Sequence, residues 1–221
     1  MTDVPLPTRR FAALLFDMDG TLISSLASAE RTWTRWAQAH GLDVAAFLPT
    51  IHGVRSVETI RRLGLPGVDP EAEAAAITRA EIEDVGDITE IRGARAFLSA
   101  LPRERWAIVT SAPRALAERR LAAAGMPTPD VMVAAEDVTR GKPAPDCVLR
   151  AAERLGVAAA DCLMFEDAPA GIQAVEAAGA SALVITATHP APMTSTHPGI
   201  PDFWHLRADP TAEGIRVFLS D

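Results

Sequence analysis

Residues 11–25 read FAALLFDMDGTLISS. The first six residues form a short, continuous apolar run, the pattern of a strand buried on both faces of a parallel sheet. Two acids two positions apart, Asp17 and Asp19, leave the end of that run, and Gly20 and Thr21 follow where the chain must turn. Bare carboxylates this close repel each other, so their placement implies a shared positive partner.

Similar apolar runs recur at WAIVT (106–110), VMVA (131–134), CLMF (162–165) and ALVIT (182–186). Helical patterns lie between them: APRALAERRLAAAG (112–125), DCVLRAAERLG (146–156) and PAGIQAVEAAG (169–179), each ending in a glycine suited to a helix C-terminus. Strands joined by helices of this length predict an α/β fold with a Rossmann-like, doubly wound parallel sheet. Residues 25–92 break the alternation, being helical throughout with no convincing strand. There SLASAERTWTRWAQAHG puts Leu26, Ala29, Trp33, Trp36, Ala37 and His40 at helical spacing, and Gly41 stops the helix. A second helix begins with Asp69 as N-cap and Pro70 at its first position. The expected organisation is a Rossmann-like core of residues 1–24 and 93–221 with an inserted all-helical cap domain at 25–92. The crossings near 22–26 and 88–93 would be hinges. The tryptophan stripe reads as cap packing, and THPAPMTSTHPGIPDFWHL (188–206) as a Pro-rich loop at the rim of the site.

Bulk properties narrow the function. Of 221 residues, 48% are apolar, and the formal net charge is −8, which disfavours a nucleic-acid backbone as partner. No run approaches a membrane span, and the opening MTDVPLPTRR lacks the apolar stretch of a signal peptide. Cys147 and Cys162 make no disulfide framework, so a reduced, cytoplasmic setting is expected. Lys142 is the only lysine among 21 basic residues, which hints at a need for a compact ammonium at that one place.

The chemistry-bearing residues gather at strand ends. Asp17 and Asp19 follow the first strand, Thr110 and Ser111 the second, and Glu166 and Asp167 the CLMF strand; Lys142 sits in RGKPAPD before a helix. In an open parallel sheet such ends meet where ligands bind. A hard dication held through oxygen would relieve the repulsion, and Mg²⁺ suits, since it accepts a few carboxylates and bridges to phosphate. With Lys142 it could hold a phosphoryl group, to which Thr110 and the turn amides offer donors. In-line attack by a carboxylate on phosphorus needs little more than this neutralisation.

FDMDGTL, IVTSA, RGKPAPD and MFEDAPAG resemble, in order and spacing, the four signatures of the haloacid dehalogenase superfamily of phosphohydrolases, and the resemblance spans residues 10–186. It implies an Asp17 nucleophile forming an aspartyl-phosphate and Asp19 as general acid/base. It also implies Mg²⁺ held by Asp17, the main-chain carbonyl of Asp19, and Asp167 with Glu166 nearby. IHGVRSVETI (51–60) is similar to the cap loop of sugar-phosphate phosphatases acting on 2-deoxyglucose 6-phosphate, polyol phosphates or glycerol phosphate. The expected function is therefore Mg²⁺-dependent hydrolysis of a small sugar or polyol phosphate, with Arg55 and His52 closing over the hydroxyl end. Two departures matter. Ser24 stands where these relatives often carry an acid, and the cap lacks the lysine that phosphonoacetaldehyde cleavage needs. The alternatives are a β-phosphoglucomutase-like phosphotransferase and, remotely, a non-enzymatic phospho-acceptor module; the latter would place its acceptor acid on a middle strand without a helical insertion.

Overall fold

The computed structural model describes residues 4–189 and 195–220. The opening stretch forms β1 (Ala13–Phe16), whose four residues are all buried, then a tight loop and β2 (Ile23–Ser24). Four helices follow: α1 (Leu26–Ala39), α2 (Val44–Phe47), α3 (Ser56–Leu63) and α4 (Pro70–Glu83). The chain returns through β3 (Thr89–Glu90) and then alternates: α5 (Ala94–Ser99), β4 (Trp106–Val109), α6 (Arg114–Ala123), β5 (Val131–Val133), α7 (Asp146–Leu155), β6 (Cys162–Glu166), α8 (Pro169–Ala177) and β7 (Ser181–Ile185). Three short strands close it, β8 (Gly199–Ile200), β9 (Leu206–Thr211) and β10 (Gly214–Leu219).

The main sheet runs β5-β4-β1-β6-β7-β8 with every pair parallel. The chain steps outward from β1 to β4 and β5, then returns to lay β6 on the other side of β1. That reversal is the topological switch of a doubly wound sheet, and its crevice lies beyond the carboxyl ends of β1 and β6. Apolar side chains cover both faces. On one, Phe16 stacks on Phe165 at 4.6 Å, with Phe97, Trp106 and Phe203 around them. On the other, small residues (Ala13, Ala107, Ala151, Ala174 and Ala182) let α7 and α8 approach closely.

Helices α1 to α4 bury their own cluster of Trp33, Trp36, Phe47, Ile51, Ile60 and Ile77. The two tryptophan rings meet edge-on at 5.5 Å, and Trp36 Nε1 donates to Glu73 at 2.9 Å, so both are packing residues of this unit. Asp69 caps α4, its Oδ1 accepting from the amides of Glu71 and Ala72 at 3.0 and 3.3 Å.

Two expectations need correction. The helical insertion is not strand-free at its exit, because β3 pairs antiparallel with β2 and staples the chain's two crossings together. The segment 188–206, expected to be loop, puts β8 on the sheet edge; beyond it the chain forms a β9–β10 hairpin that grips Phe11 through Ile215 at 2.8 and 2.7 Å. Residues 190–194 of that Pro-rich segment lie outside the described residues.

Losing the α4 cap tests how this unit is held. Asp69→Ala should lower stability by about 1 kcal/mol, the usual cost of an N-cap side chain. Urea unfolding reads that loss, and catalytic rates of the folded protein should not follow it.

Candidate active site

The loop after β1 is compact because Leu22 and Ile23 amides return to the Met18 carbonyl at 2.9 and 3.1 Å and Gly20 N–H donates to Ile23 at 2.7 Å. Gly20 has φ +88°, and a Cβ there would fall 2.0 Å from Asp167 Oδ2, so glycine is required for the loop to lie against the β6 acids. Thr21 Oγ1 reaches Asp167 Oδ1 at 3.3 Å.

At the switch point Lys142 is buried to 1% exposure. Its ammonium donates to Asp17 Oδ1 at 2.5 Å, Glu166 Oε1 at 2.7 Å and the Val109 carbonyl at 3.1 Å. The other Glu166 oxygen accepts from the amides of Asp167 and Ala168 at 2.7 and 2.8 Å, which ties the start of α8 to the end of β6. Glu166 thus carries three donors on its two oxygens. A Cβ at Gly171 would lie 1.6 Å from Glu166 Oε1, so α8 can sit this close only with glycine there.

Asp17, Glu166 and Asp167 bring one carboxylate oxygen each within 4.8 Å of one another. Burial pushes the Asp17 carboxyl up to about 8; the neighbouring Lys142 opposes this and Glu166 adds to it. Asp167 is likewise raised well above the ordinary carboxylate range by burial and by the same acids. Three carboxylates facing one ammonium are thus short of positive charge. Their all-oxygen donor set fits a hard dication, and Asp17 and Asp167, which carry fewer donors than Glu166, are the side chains better placed to hold it.

Asp19 points elsewhere. Its Oδ1 accepts from Ser25 Oγ at 2.5 Å and from Arg120 Nη1 at 3.0 Å. Arg120, on α6, also stands 3.3 Å from Glu81 on α4; burial pushes the Glu81 carboxyl up and Arg120 pulls it back. Thr110 Oγ1 accepts from the Ala112 amide at 3.0 Å, and Ser111 Oγ donates to the Gly53 carbonyl of the helical unit at 2.9 Å.

Between the helical unit and the strand ends lies a cavity of about 810 Å³. Asp17, Asp19, Thr110, Ser111, His52 and Asp167 line it, together with Trp33, Glu30, Glu81, Arg120 and His189. The His52 ring is held below the ordinary histidine range by desolvation, with Glu30 opposing and His189 assisting. His189 Nε2 is bonded to the Asp167 carbonyl at 2.8 Å.

Arg55 is placed differently from the expectation that it reaches over the substrate, and it does not line the cavity. Its guanidinium donates to the carbonyls of Ala135, Val138 and Thr139 at 3.3, 3.2 and 2.9 Å and pairs with Glu58. Glu58 in turn accepts from the Gly141 amide at 3.3 Å. Three core carbonyls converge there, so Arg55 clasps the insertion onto the loop that carries Lys142. Sequence reasoning also missed Arg120 and Glu81. The available signal was a charge inside an apolar stripe: Leu116, Ala117, Arg120 and Leu121 share the buried face of α6, as do Ile77 and Glu81 on α4.

A parallel α/β sheet with a lysine–carboxylate cluster at its switch point, under a helical cover, defines a class of phosphoryl-handling hydrolases. The chain belongs to the haloacid dehalogenase-like hydrolase family, whose description matches residues 11–179. It is 41% identical over 182 residues to hexitol phosphatase A of Escherichia coli, covering 80% of this chain and 84% of that one. It is 32% identical over 198 residues to 2-deoxyglucose-6-phosphate phosphatase 1 of Saccharomyces cerevisiae, covering 79% and 80%. Its fold matches the crystal structure of β-phosphoglucomutase from Clostridium difficile with a TM-score of 0.70 at 21% identity, over 79% of this chain and 84% of that one. Among the described residues no helix is long and apolar enough to cross a membrane.

The clasp sets an expectation for Arg55. Arg55→Ala should reduce kcat/KM for a sugar phosphate and for an aryl phosphate alike, by about 1.5–3 kcal/mol, the range for charge-assisted hydrogen bonds. Steady-state assays with both esters check it; a loss confined to the sugar phosphate would instead put the guanidinium on substrate hydroxyls.

Proposed function

We propose that the chain is a Mg²⁺-dependent phosphatase of small sugar or polyol phosphate monoesters that works through an aspartyl-phosphate on Asp17. The observation that carries this reading is the buried Asp17–Lys142–Glu166 cluster, with Asp167 beside it and Asp17 opening onto a roofed cavity. The similarity to the hexitol and 2-deoxyglucose-6-phosphate phosphatases supports the substrate class. So does the cavity wall, which alternates apolar faces (Trp33, Leu48 and Ile51) with polar groups (Glu30 and His52), as a sugar's carbon skeleton and hydroxyls require.

In this mechanism Asp17 attacks phosphorus in line with the ester oxygen, while Lys142 offsets the charge that gathers on the transferring group. Thr110 and the turn amides after β1 and β4 donate to the phosphoryl oxygens, while the Ser111 hydroxyl, beside them, holds the Gly53 carbonyl of the helical unit. Asp19 protonates the departing oxygen and then takes a proton from the water that hydrolyses the acyl-phosphate. Mg²⁺, held by Asp17, Asp167 and the Asp19 main-chain carbonyl, would supply the remaining charge neutralisation for carboxylates and phosphate. The helical unit excludes bulk water and meets the hydroxyl end, with His52 on its inner face.

A panel of phosphate monoesters with Mg²⁺ tests the reading by release of inorganic phosphate, and release without a bisphosphate activator separates it from a phosphotransferase. Asp17→Asn should fold yet lose turnover on every ester, because an amide cannot form the acyl-phosphate; steady phosphate release by the pure folded variant would sink the mechanism. Chelation by EDTA should abolish activity and Mg²⁺ restore it, whereas Ca²⁺, larger and looser in geometry, should inhibit. Full activity after exhaustive chelation would refute the metal assignment.

A further inference from the structure

We propose that Arg120 is a positioning residue for Asp19 and that Glu81 makes this positioning depend on the seated helical unit. The inference rests on the phosphatase reading and extends it to a residue outside the four signature segments.

Arg120 belongs to α6 of the core, and its side chain is 5% exposed although it lines the cavity. Nη1 lies 3.0 Å from Asp19 Oδ1, and Nη2 lies 3.3 Å from Glu81 Oε1 across the cavity wall. Nε and Nη2 are buried without a hydrogen-bond partner, so the guanidinium is stretched between two acids instead of being fully satisfied by either. Burial of an arginine is costly unless it is paired, and these two carboxylates are what hold it here. Ser25 Oγ donates to the same Asp19 oxygen at 2.5 Å. Both bonds therefore fall on Oδ1; among the described residues none is made to Oδ2, so that oxygen is the one open to the substrate.

The consequence concerns one step. As an Asp17 oxygen bonds to phosphorus, the ester P–O bond breaks, and the proton on Asp19 Oδ2 passes to the leaving oxygen. The electron pair of that O–H bond stays on the Asp19 carboxylate, beside the Arg120 guanidinium. In the second half the hydrolytic water returns a proton to Asp19. Arg120 thus aims the carboxyl and stands against the charge formed when its proton leaves. Glu81, arriving on α4, fixes the far end of the guanidinium, so Asp19 is aimed only when the helical unit is down.

A leaving-group series separates this from a structural role. Substituted phenyl phosphates carry no hydroxyls for the cavity to read, and kcat/KM reports only steps up to cleavage of the ester. The double variant Arg120→Met/Glu81→Gln removes both charges and so avoids stranding one in the interior. Its loss in kcat/KM should grow with the pKa of the phenol, being about 10-fold or more greater for phenyl phosphate than for 4-nitrophenyl phosphate, as expected where general-acid assistance is weakened. Asp19→Asn should steepen the same plot. Glu81→Gln alone should steepen it less. A loss of equal size across the series, or a slope unchanged from the wild type in the double variant, overturns the proposal; a wild-type slope in Glu81→Gln overturns the dependence on the helical unit. The phosphatase reading fails separately, through phosphate release by Asp17→Asn.

Discussion

An ammonium buried to 1% exposure between two carboxylates is the constraint around which the rest is arranged. Moving such a charge out of water costs several kcal/mol unless its partners are well placed, and removing one partner of a buried pair commonly costs 3–5 kcal/mol. Lys142 therefore obliges three segments distant in sequence to meet: Asp17 at the end of β1, Glu166 at the end of β6, and the carbonyl of Val109 at the end of β4. Those strands are neighbours at the centre of the sheet, where the winding direction changes. Sheet order and charge pairing thus support each other, and the glycines at 20 and 171 give the backbone the room the acids need.

The helical unit attaches to this centre by contacts of different kinds. The β2–β3 ribbon ties its two chain crossings, Arg55 clasps the carbonyls ahead of Lys142, Ser111 donates to Gly53, and Arg120 meets Glu81. Its hydrophobic cluster is its own, built on the tryptophans of α1, so its fit to the core is set mainly by polar contacts. Interfaces of that kind open more readily than apolar ones, which suits a cavity that must admit substrate and then exclude water.

Much of this was legible in the sequence where a residue's neighbours along the chain determine its role. Asp17 follows a continuous apolar run, so a strand end was readable; Asp69 before Pro70 was readable as a helix start. The β9–β10 hairpin was not, since LRADPT carries charges and a proline and is only half covered. Arg55 lay in a recognisable segment, but its partners are carbonyls of residues 135–139, which carry no side-chain signature. Arg120 and Glu81 each interrupt an apolar helical stripe, a pattern that says a charge is buried without saying what pairs with it.

The charge balance of the cavity gives the metal its physical necessity in the proposed reaction. Asp17, Asp19, Glu30, Glu81 and Asp167 line it, and among the lining residues Arg120 is the one permanent cation. Arg120 is already engaged by Asp19 and Glu81, and Lys142 behind the wall by Asp17 and Glu166. Every cation near the strand ends thus has two acids, and a chain of net charge −8 offers no surplus from further away. A phosphate monoester arriving as an anion would meet net repulsion from the protein's own side chains. In the proposed reaction a dication shared by Asp17 and Asp167 would make that space attractive to it, and it would also favour the ionised Asp17 that burial alone disfavours.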